Sequence, residues 1–98
     1  MLYHLENKYV VFTGALHTMN HQEAMSLALS LGAKPKDNVS AKVQIIVAGS
    51  IRKGLGQKLT TERLSYADKN NITVINEYDF LTWCAHRIDY LRNNLKAR

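Results

Sequence analysis

The chain has 98 residues, a net charge of +5 and a single cysteine, Cys84. This length suffices for one domain with one hydrophobic core, but not for a second domain or a cofactor cleft with its own lid. No apolar run approaches the roughly 20 residues that span a membrane, and the N-terminal MLYHLENK lacks the basic-then-apolar order of a signal peptide. One cysteine excludes an internal disulfide framework, which agrees with a reducing compartment. We therefore expect a soluble, cytoplasmic protein.

The excess positive charge is concentrated in the middle third of the chain. Residues 34–63 contain seven basic and two acidic side chains, whereas six basic and six acidic side chains elsewhere cancel. Such a cluster indicates either an anionic partner or a solvated face that maintains solubility. Charge alone leaves both interpretations open.

The first two predicted elements are a buried strand and a capped helix. Residues 8–12 (β1) contain the run YVVF, which is apolar without alternation and typical of a strand covered on both faces. Asn20 with Glu23 three residues later has the pattern of a capping box, which predicts the start of a helix (α1). Apolar residues then recur at helical spacing as far as Gly32, which suits the position just after a helix end.

The rest of the chain continues this alternation of strand and helix. The predicted elements are an edge strand at 33–35 (β2), a strand at 44–48 (β3), a helix ending at Asn70-Asn71 (α2), a strand at 72–75 (β4) and a helix beginning at Glu77 (α3). The strand at 33–35 can only be a short edge strand, because Pro35 has no N–H to donate. Thr60 or Thr61 is the expected cap of α2.

Strands joined by helices predict an α/β fold with a parallel sheet, helices on both faces and right-handed connections. Ligands of such sheets bind at the carboxyl ends of the strands. Thr13 and Gly14 follow β1 directly, so a hydroxyl donor and an accessible backbone N–H are expected at this edge. From the residues alone the structural roles are favoured: the Thr13 hydroxyl would bond a carbonyl in a turn, and Gly14 would serve a left-handed conformation.

Four segments of the sequence together resemble a BRCT domain of the bacterial kind. They are VVFTGAL, HQEAMSLALSLGAK, NVSAKVQIIVAG and ERLSYADKNNITVINEYDFLTW. Such domains occur in NAD-dependent DNA ligases, in exonuclease- or polymerase-associated proteins and in the large subunit of replication factor C. The resemblance covers residues 5–87 approximately, so we assign residues 1–87 to the domain and 88–98 to a helical extension. It implies a four-stranded sheet in the order β2-β1-β3-β4, with α1 and α3 on one face and α2 on the other.

The resemblance also implies a phosphate-binding site. In this family a phosphate is held by a Ser or Thr and the following Gly after β1, which Thr13 and Gly14 match, and by a Lys near the start of α2. Arg63 stands where the family usually has that Lys, with Lys58 as a nearby alternative. Members that bind DNA ends add an Arg at the start of α1, where this chain has His21, a poorer phosphate ligand because imidazole is mostly neutral at pH 7.

Further contacts to DNA are expected from His21 and from four basic residues, Lys42, Arg52, Lys53 and Lys58. No acidic residue interrupts the basic loop at 52–58, which favours a contact to the DNA backbone over the alternative of a solvated loop. The stretch Gly49–Gly54 has the spacing of a P-loop, but Leu and Gly follow where that motif needs Lys and Ser or Thr, so no nucleotide site is predicted. The four histidines share no ligand-type spacing on one element, so neither a metal nor another cofactor is expected.

The sequence thus predicts a non-catalytic, phosphate-recognising module of a DNA replication or repair protein, which contacts DNA phosphates or a 5′-phosphorylated end. The alternative is a protein-interaction module that reads a phosphopeptide or a partner surface. No enzyme is expected in these residues, because no nucleophile accompanies His17, His21 and Glu23. A longer parent protein could be a ligase, exonuclease or polymerase.

The last helix raises two further expectations. Trp83 is predicted to lie in the core, as in many BRCT domains. Leu91 and Leu95 lie on the same helical stripe as Cys84. The extension that carries them could pack on its own domain, form a dimer or lead into another domain.

Overall fold

The computed structural model describes residues 2–51 and 62–96. In chain order the elements are β1 (Tyr9–Thr13), α1 (His21–Ser30), β2 (Lys34–Pro35), β3 (Ile45–Ala48), α2 (Glu62–Asn70), β4 (Thr73–Asn76) and α3 (Glu77–Lys96). The strands form one parallel sheet in the order β2-β1-β3-β4. The predicted α/β class and strand order are confirmed.

The strand boundaries differ from the prediction by one residue. β1 and β4 each begin and end one residue later than expected, because ladder pairing decides where a strand ends. Thr13 pairs with Ala48 of β3 and is therefore the last residue of the strand, not the first residue after it. The apolar pattern stops at Phe12, so it does not detect this pairing.

Two hydrophobic clusters lie on opposite faces of the sheet. Side chains alternate along β1, so Val10 and Phe12 face one side while Val11 faces the other. The first cluster packs the sheet against α1 and α3 and includes Ala24, Ala28, Phe80 and Trp83. The second packs it against α2 and consists of Val11, Val43, Ile46 and Ala67. The predicted placement of the helices is confirmed.

Local signals define the ends of α1. The Asn20 side chain accepts from the Glu23 N–H at 2.8 Å, and the Glu23 carboxylate accepts from the Asn20 N–H at 2.9 Å. Gly32 has a φ of +107°, a left-handed conformation that ends the helix. The predicted capping box and helix end are therefore both present.

α3 begins in the core and ends in solvent. Trp83 is 1% exposed, as predicted, and its indole N–H donates to the Glu6 carboxylate at 3.0 Å. The ring of Phe80 meets that of Phe12 edge to face, with 5.1 Å between ring centres. Burial raises the pKa of the Cys84 thiol to about 11. The helix then continues past the sheet to Lys96, with exposed side chains along its last turns.

Candidate anion-binding site

A pocket of about 430 Å³ opens at the carboxyl end of β1. Thr13 and Gly14 line it from the end of β1, and Glu62 and Arg63 from the first turn of α2. Asn38 and Val39, between β2 and β3, complete the lining. The fold therefore brings Thr13, Gly14 and Arg63 to one cavity, although Arg63 lies about 50 residues from the other two.

Thr13 lies at the inner surface of this pocket. The residue is 2% exposed, because it forms the end of β1 and pairs with the neighbouring strand β3. Almost none of its surface is therefore available to a ligand in the pocket. Gly14 lies just beyond the strand, so its backbone N–H is expected to be more accessible to an anion than the Thr13 side chain.

Gly14 is required by the packing of two loops. Its φ is +74°, and a Cβ at this position would lie 2.9 Å from the carbonyl oxygen of Ser50. Ala15 and Ser50 exchange backbone hydrogen bonds of 2.7 and 2.8 Å, which join the loop after β1 to the loop after β3. A Cβ at Gly49 would collide with the Ala15 carbonyl. The left-handed conformation and the close approach of the two loops are sufficient to require a glycine at position 14, whether or not a ligand binds.

Arg63 ties α2 to the sheet. Its Nη1 donates to the carbonyl of Phe12 at 3.2 Å, and its Nη2 donates to the carbonyl of Asp37 at 2.6 Å. The guanidinium has five N–H groups, so these two bonds do not exhaust its donors. These two bonds therefore fix the position of the Arg63 side chain where it lines the pocket.

His21 lies on the other side of Arg63. One of its ring nitrogens, Nε2, forms a hydrogen bond with the Gly14 carbonyl, which makes Nε2 the donor. A second depression of about 410 Å³ contains His21, Phe12 and Met25 together with Lys36, and it shares Asn38 and Arg63 with the pocket. Lys36 is not among the site residues predicted from the sequence. Its position directly after β2, at the carboxyl edge of the sheet, was the signal that could have identified it.

The other predicted contacts lie elsewhere or beyond the described residues. Lys42 is exposed in the turn before β3, at the amino end of that strand, and lines neither depression. Arg52, Lys53 and Lys58, and the predicted caps Thr60 and Thr61, fall outside the residues that the structure describes.

Glu77 forms a cluster that the sequence did not indicate. Its carboxylate accepts from the backbone N–H of His17 at 2.7 Å and of Thr18 at 2.9 Å, and from the Thr18 hydroxyl at 2.6 Å. Burial acts to raise the pKa of Glu77, but these hydrogen bonds outweigh it and lower the pKa below 4.5. Glu77 thereby fastens the loop after β1 to the start of α3. His17 adds a bond of 2.9 Å between its Nε2 and the Ser50 hydroxyl.

The described residues contain neither a metal-binding cluster nor a membrane-spanning helix. Within residues 2–51 and 62–96, no three His, Cys, Asp or Glu side chains are grouped as a metal ion would require. None of the helices described there is long and apolar enough to cross a membrane.

The fold and the pocket define a small α/β domain with a candidate anion site at the carboxyl edge of its sheet. No family model matches the chain. It is 44% identical over 78 residues to a DNA ligase of Methylobacterium radiotolerans, a match that covers 80% of this chain and 9% of the ligase. A DNA ligase of Legionella pneumophila is 41% identical over 76 residues, covering 78% of the chain and 10% of the ligase. The chain thus resembles a small region of DNA ligases and spans about a tenth of their length.

Proposed function

We propose that the chain is a non-catalytic BRCT-type module of a DNA replication or repair protein, and that its pocket binds a DNA phosphate, preferably at a 5′ end. In this proposal residues 1–87 are the domain and residues 88–98 are its C-terminal extension, of which the part up to Lys96 is helical. The main support for the proposal is that Thr13, Gly14 and Arg63 line one pocket at the carboxyl edge of a parallel sheet. Similarity to a region of DNA ligases supports DNA as the source of the phosphate.

The donors around the pocket suit a phosphate group. Gly14 offers a backbone N–H, and Arg63 offers N–H groups beyond the two that bond carbonyls. Arg63 also lies in the first turn of α2, where the helix dipole favours negative charge. Because phosphate contacts do not read bases, binding should be largely independent of sequence and should weaken steeply as salt increases.

Glu62 opposes an anion in the same pocket. It is exposed in the first turn of α2 and is one of the residues that line the cavity. Its negative charge repels a phosphate there, so a variant without that charge should bind more tightly. Glu62→Gln is therefore a gain-of-binding test, which general loss of folding cannot mimic.

The experiment compares two DNA hairpin duplexes that differ only in a 5′-phosphate or a 5′-hydroxyl. NMR titration of the chain should show tighter binding of the phosphorylated hairpin, with shifts of the Thr13, Gly14 and Arg63 amides. Arg63→Ala should remove most of the preference, a loss on the order of 1.5 to 3 kcal/mol for a hydrogen bond to a charged group. Thr13→Ala should reduce the preference by a smaller amount.

Lys69→Ala is the matched control. Lys69 is an exposed base in the last turn of the same helix and does not line the pocket. Its loss should weaken both hairpins equally and leave the preference for the 5′-phosphate intact. Equal binding of the two hairpins by the unmodified chain, or an equal loss of preference in both variants, would contradict the proposal.

A phosphopeptide is the main competing ligand. The depression beside the pocket is lined partly by the apolar side chains of Phe12 and Met25, which a peptide side chain could contact. If the pocket amides shift with a phosphopeptide but with neither hairpin, the protein-interaction function replaces the DNA function.

Catalysis is expected to be absent from this chain. Nick sealing, nuclease action and nucleotide hydrolysis should show no turnover with the purified 98-residue protein. Turnover that disappears with Thr13→Ala or with a His21 substitution would overturn the non-catalytic assignment.

A further inference from the structure

The C-terminal half of α3 carries an apolar face that the described chain leaves about half exposed. The buried side chains of α3, Phe80, Trp83 and Cys84, all lie in its first eight residues. Ile88, Leu91 and Leu95 follow and are 51%, 40% and 67% exposed. They continue from Cys84 at spacings of four, three and four, which places them on the helical face that is buried earlier in α3. We call these three side chains the α3 stripe.

The segment that carries the stripe has little local support. Residues 85–96 form about three turns that continue α3, and Arg87 ties the first of these turns to the domain by donating to the Leu31 carbonyl at 2.8 Å. Residues 91–96 beyond it are all exposed, and helical turns without packing are marginal in water. The adjacent Asn93 and Asn94 are weak helix formers. An ion pair of 3.0 Å between Arg92 and Asp89 is exposed and contributes little. Packing of the stripe against a partner would supply the stabilisation that the segment lacks.

Basic residues flank the stripe on both sides. At about 100° per residue, Arg92 and Lys96 lie along one side of it and Arg87 along the other. Arg87 also donates to the Leu31 carbonyl at 2.8 Å and lies over the Tyr90 ring, so Arg92 and Lys96 are the more available charges. Asp89 is the only acidic residue between positions 85 and 96. The flanks correspond to the positions that select partners by charge when two helices pack side by side.

This charge pattern favours one kind of partner. Two copies of α3 packed through their stripes would bring basic flanks together, which is unfavourable. A helix with an apolar stripe between Asp and Glu residues would meet complementary charges, and the basic side chains could cover part of its apolar surface. Three exposed side chains offer far less than the roughly 800 Å² per partner of a standard interface, so the contact should be weak.

We propose that the α3 stripe docks an amphipathic helix whose apolar stripe is flanked by acidic residues. The docked helix extends the hydrophobic core that Phe80 and Cys84 begin. This inference is independent of the proposed phosphate site, which lies at the carboxyl edge of the sheet.

The probe is a synthetic peptide of three heptads with Leu at the two core positions of each heptad and Glu at the flanking positions. Its control has Lys at the flanking positions and is otherwise identical. In fluorescence anisotropy titrations with the 98-residue chain, the acidic peptide should bind at least about tenfold more tightly than the basic one. Added salt should reduce this difference, because the flanking charges are exposed.

The variant that tests the surface is the double substitution Leu91→Asn with Leu95→Asn. It should abolish binding of the acidic peptide. The matched control is Leu29→Asn, since Leu29 is a 64% exposed leucine on α1 and should be dispensable. Because the substituted side chains are exposed, near-ultraviolet circular dichroism of the buried Trp83 should be unchanged in both variants.

Several outcomes would overturn the proposal. They are no binding of the acidic peptide, equal binding of the two peptides, or an equal loss in the Leu29 control. Sedimentation that shows a dimer dissociated by the Leu91 and Leu95 substitutions would assign the stripe to a second copy of the chain. Loss of peptide binding in Arg63→Ala would show that the peptide binds as an anion in the pocket.

Discussion

The two faces of the sheet are stabilised unequally. Among the described residues, the cluster beneath α1 and α3 contains thirteen buried side chains, including the aromatic rings of Phe12, Phe80 and Trp83. The cluster beneath α2 contains four, of which Ala67 is the one from the helix itself. Burial of apolar area is the main source of stability, so α2 should be held more weakly than the first half of α3.

The candidate anion site joins these unequal parts. Thr13 and Gly14 belong to the well-packed end of β1, whereas Arg63 belongs to α2 and reaches back to the carbonyls of Phe12 and Asp37. A ligand that contacts both parts would therefore also stabilise α2. The difference between the faces can be tested by perturbing each of them.

The largest effect is expected at the centre of the larger cluster. Trp83→Ala should lower the free energy of unfolding by about 3 to 5 kcal/mol, because it leaves a cavity and removes the indole partner of Glu6. Urea unfolding followed by circular dichroism measures this change. A loss below about 1 kcal/mol would show that the cluster around Trp83 is not the main source of stability.

Val10 and Val11 allow a matched comparison of the two faces. They are adjacent in β1, fully buried and on opposite sides of the sheet. Each substitution by Ala should cost about 1.5 to 3 kcal/mol, with Val10 near the upper limit and Val11 near the lower, because the smaller cluster can relax around the lost methyl groups. Urea unfolding followed by Trp83 fluorescence measures both. A larger loss for Val11→Ala would reverse the comparison.

Arg63→Ala should act locally on α2. Loss of two hydrogen bonds to carbonyls should cost about 1 to 2 kcal/mol. Amide hydrogen exchange should become faster in α2 than in the unmodified chain, and remain unchanged in the first turns of α3. Equal acceleration in both helices would mean that Arg63 stabilises the whole domain instead of anchoring α2.

The smallest effect is expected from Glu77 and depends on pH. Its pKa in the folded chain is below its ordinary value of 4.5, so its stabilising contribution is complete above that value. As the pH falls from about 4.5 through the lower folded pKa, the carboxylate takes up a proton and the contribution is lost. Glu77→Gln should therefore lower stability at pH 6 by less than about 1 kcal/mol, because the group is partly exposed, and by less still at pH 3. A constant loss at both pH values would exclude this role for the charge.

Local features of the fold could be predicted from the sequence, whereas features that depend on contacts between distant residues could not. Asn20, Glu23 and Gly32 act within one helix, so their spacing was sufficient to predict both ends of α1. The extension of β1 to Thr13 depends on pairing with Ala48, which lies in another strand. An apolar pattern carries no information about that pairing.

The same distinction applies to the site. Thr13 and Gly14 were indicated by their position after a strand, but the second role of Arg63 was not, because its carbonyl partners lie 51 and 26 residues away. The bonds between Glu77 and Thr18 span 59 residues. Position along the chain identifies residues at the correct edge of a sheet, but only the folded arrangement identifies the bonds that they make.

The carbonyl bonds of Arg63 have a consequence for the thermodynamics of binding. A long basic side chain that is free in solution loses about 2 kcal/mol of rotamer entropy when a ligand immobilises it. The Arg63 guanidinium is already immobilised by Phe12 and Asp37, so that entropy is lost when the chain folds. A lysine has three donors on a single flexible nitrogen, whereas the rigid guanidinium spreads five over three nitrogens and keeps donors for a ligand after two carbonyls are bonded. An arginine at this position therefore gives the pocket a charge that is preorganised before any anion arrives.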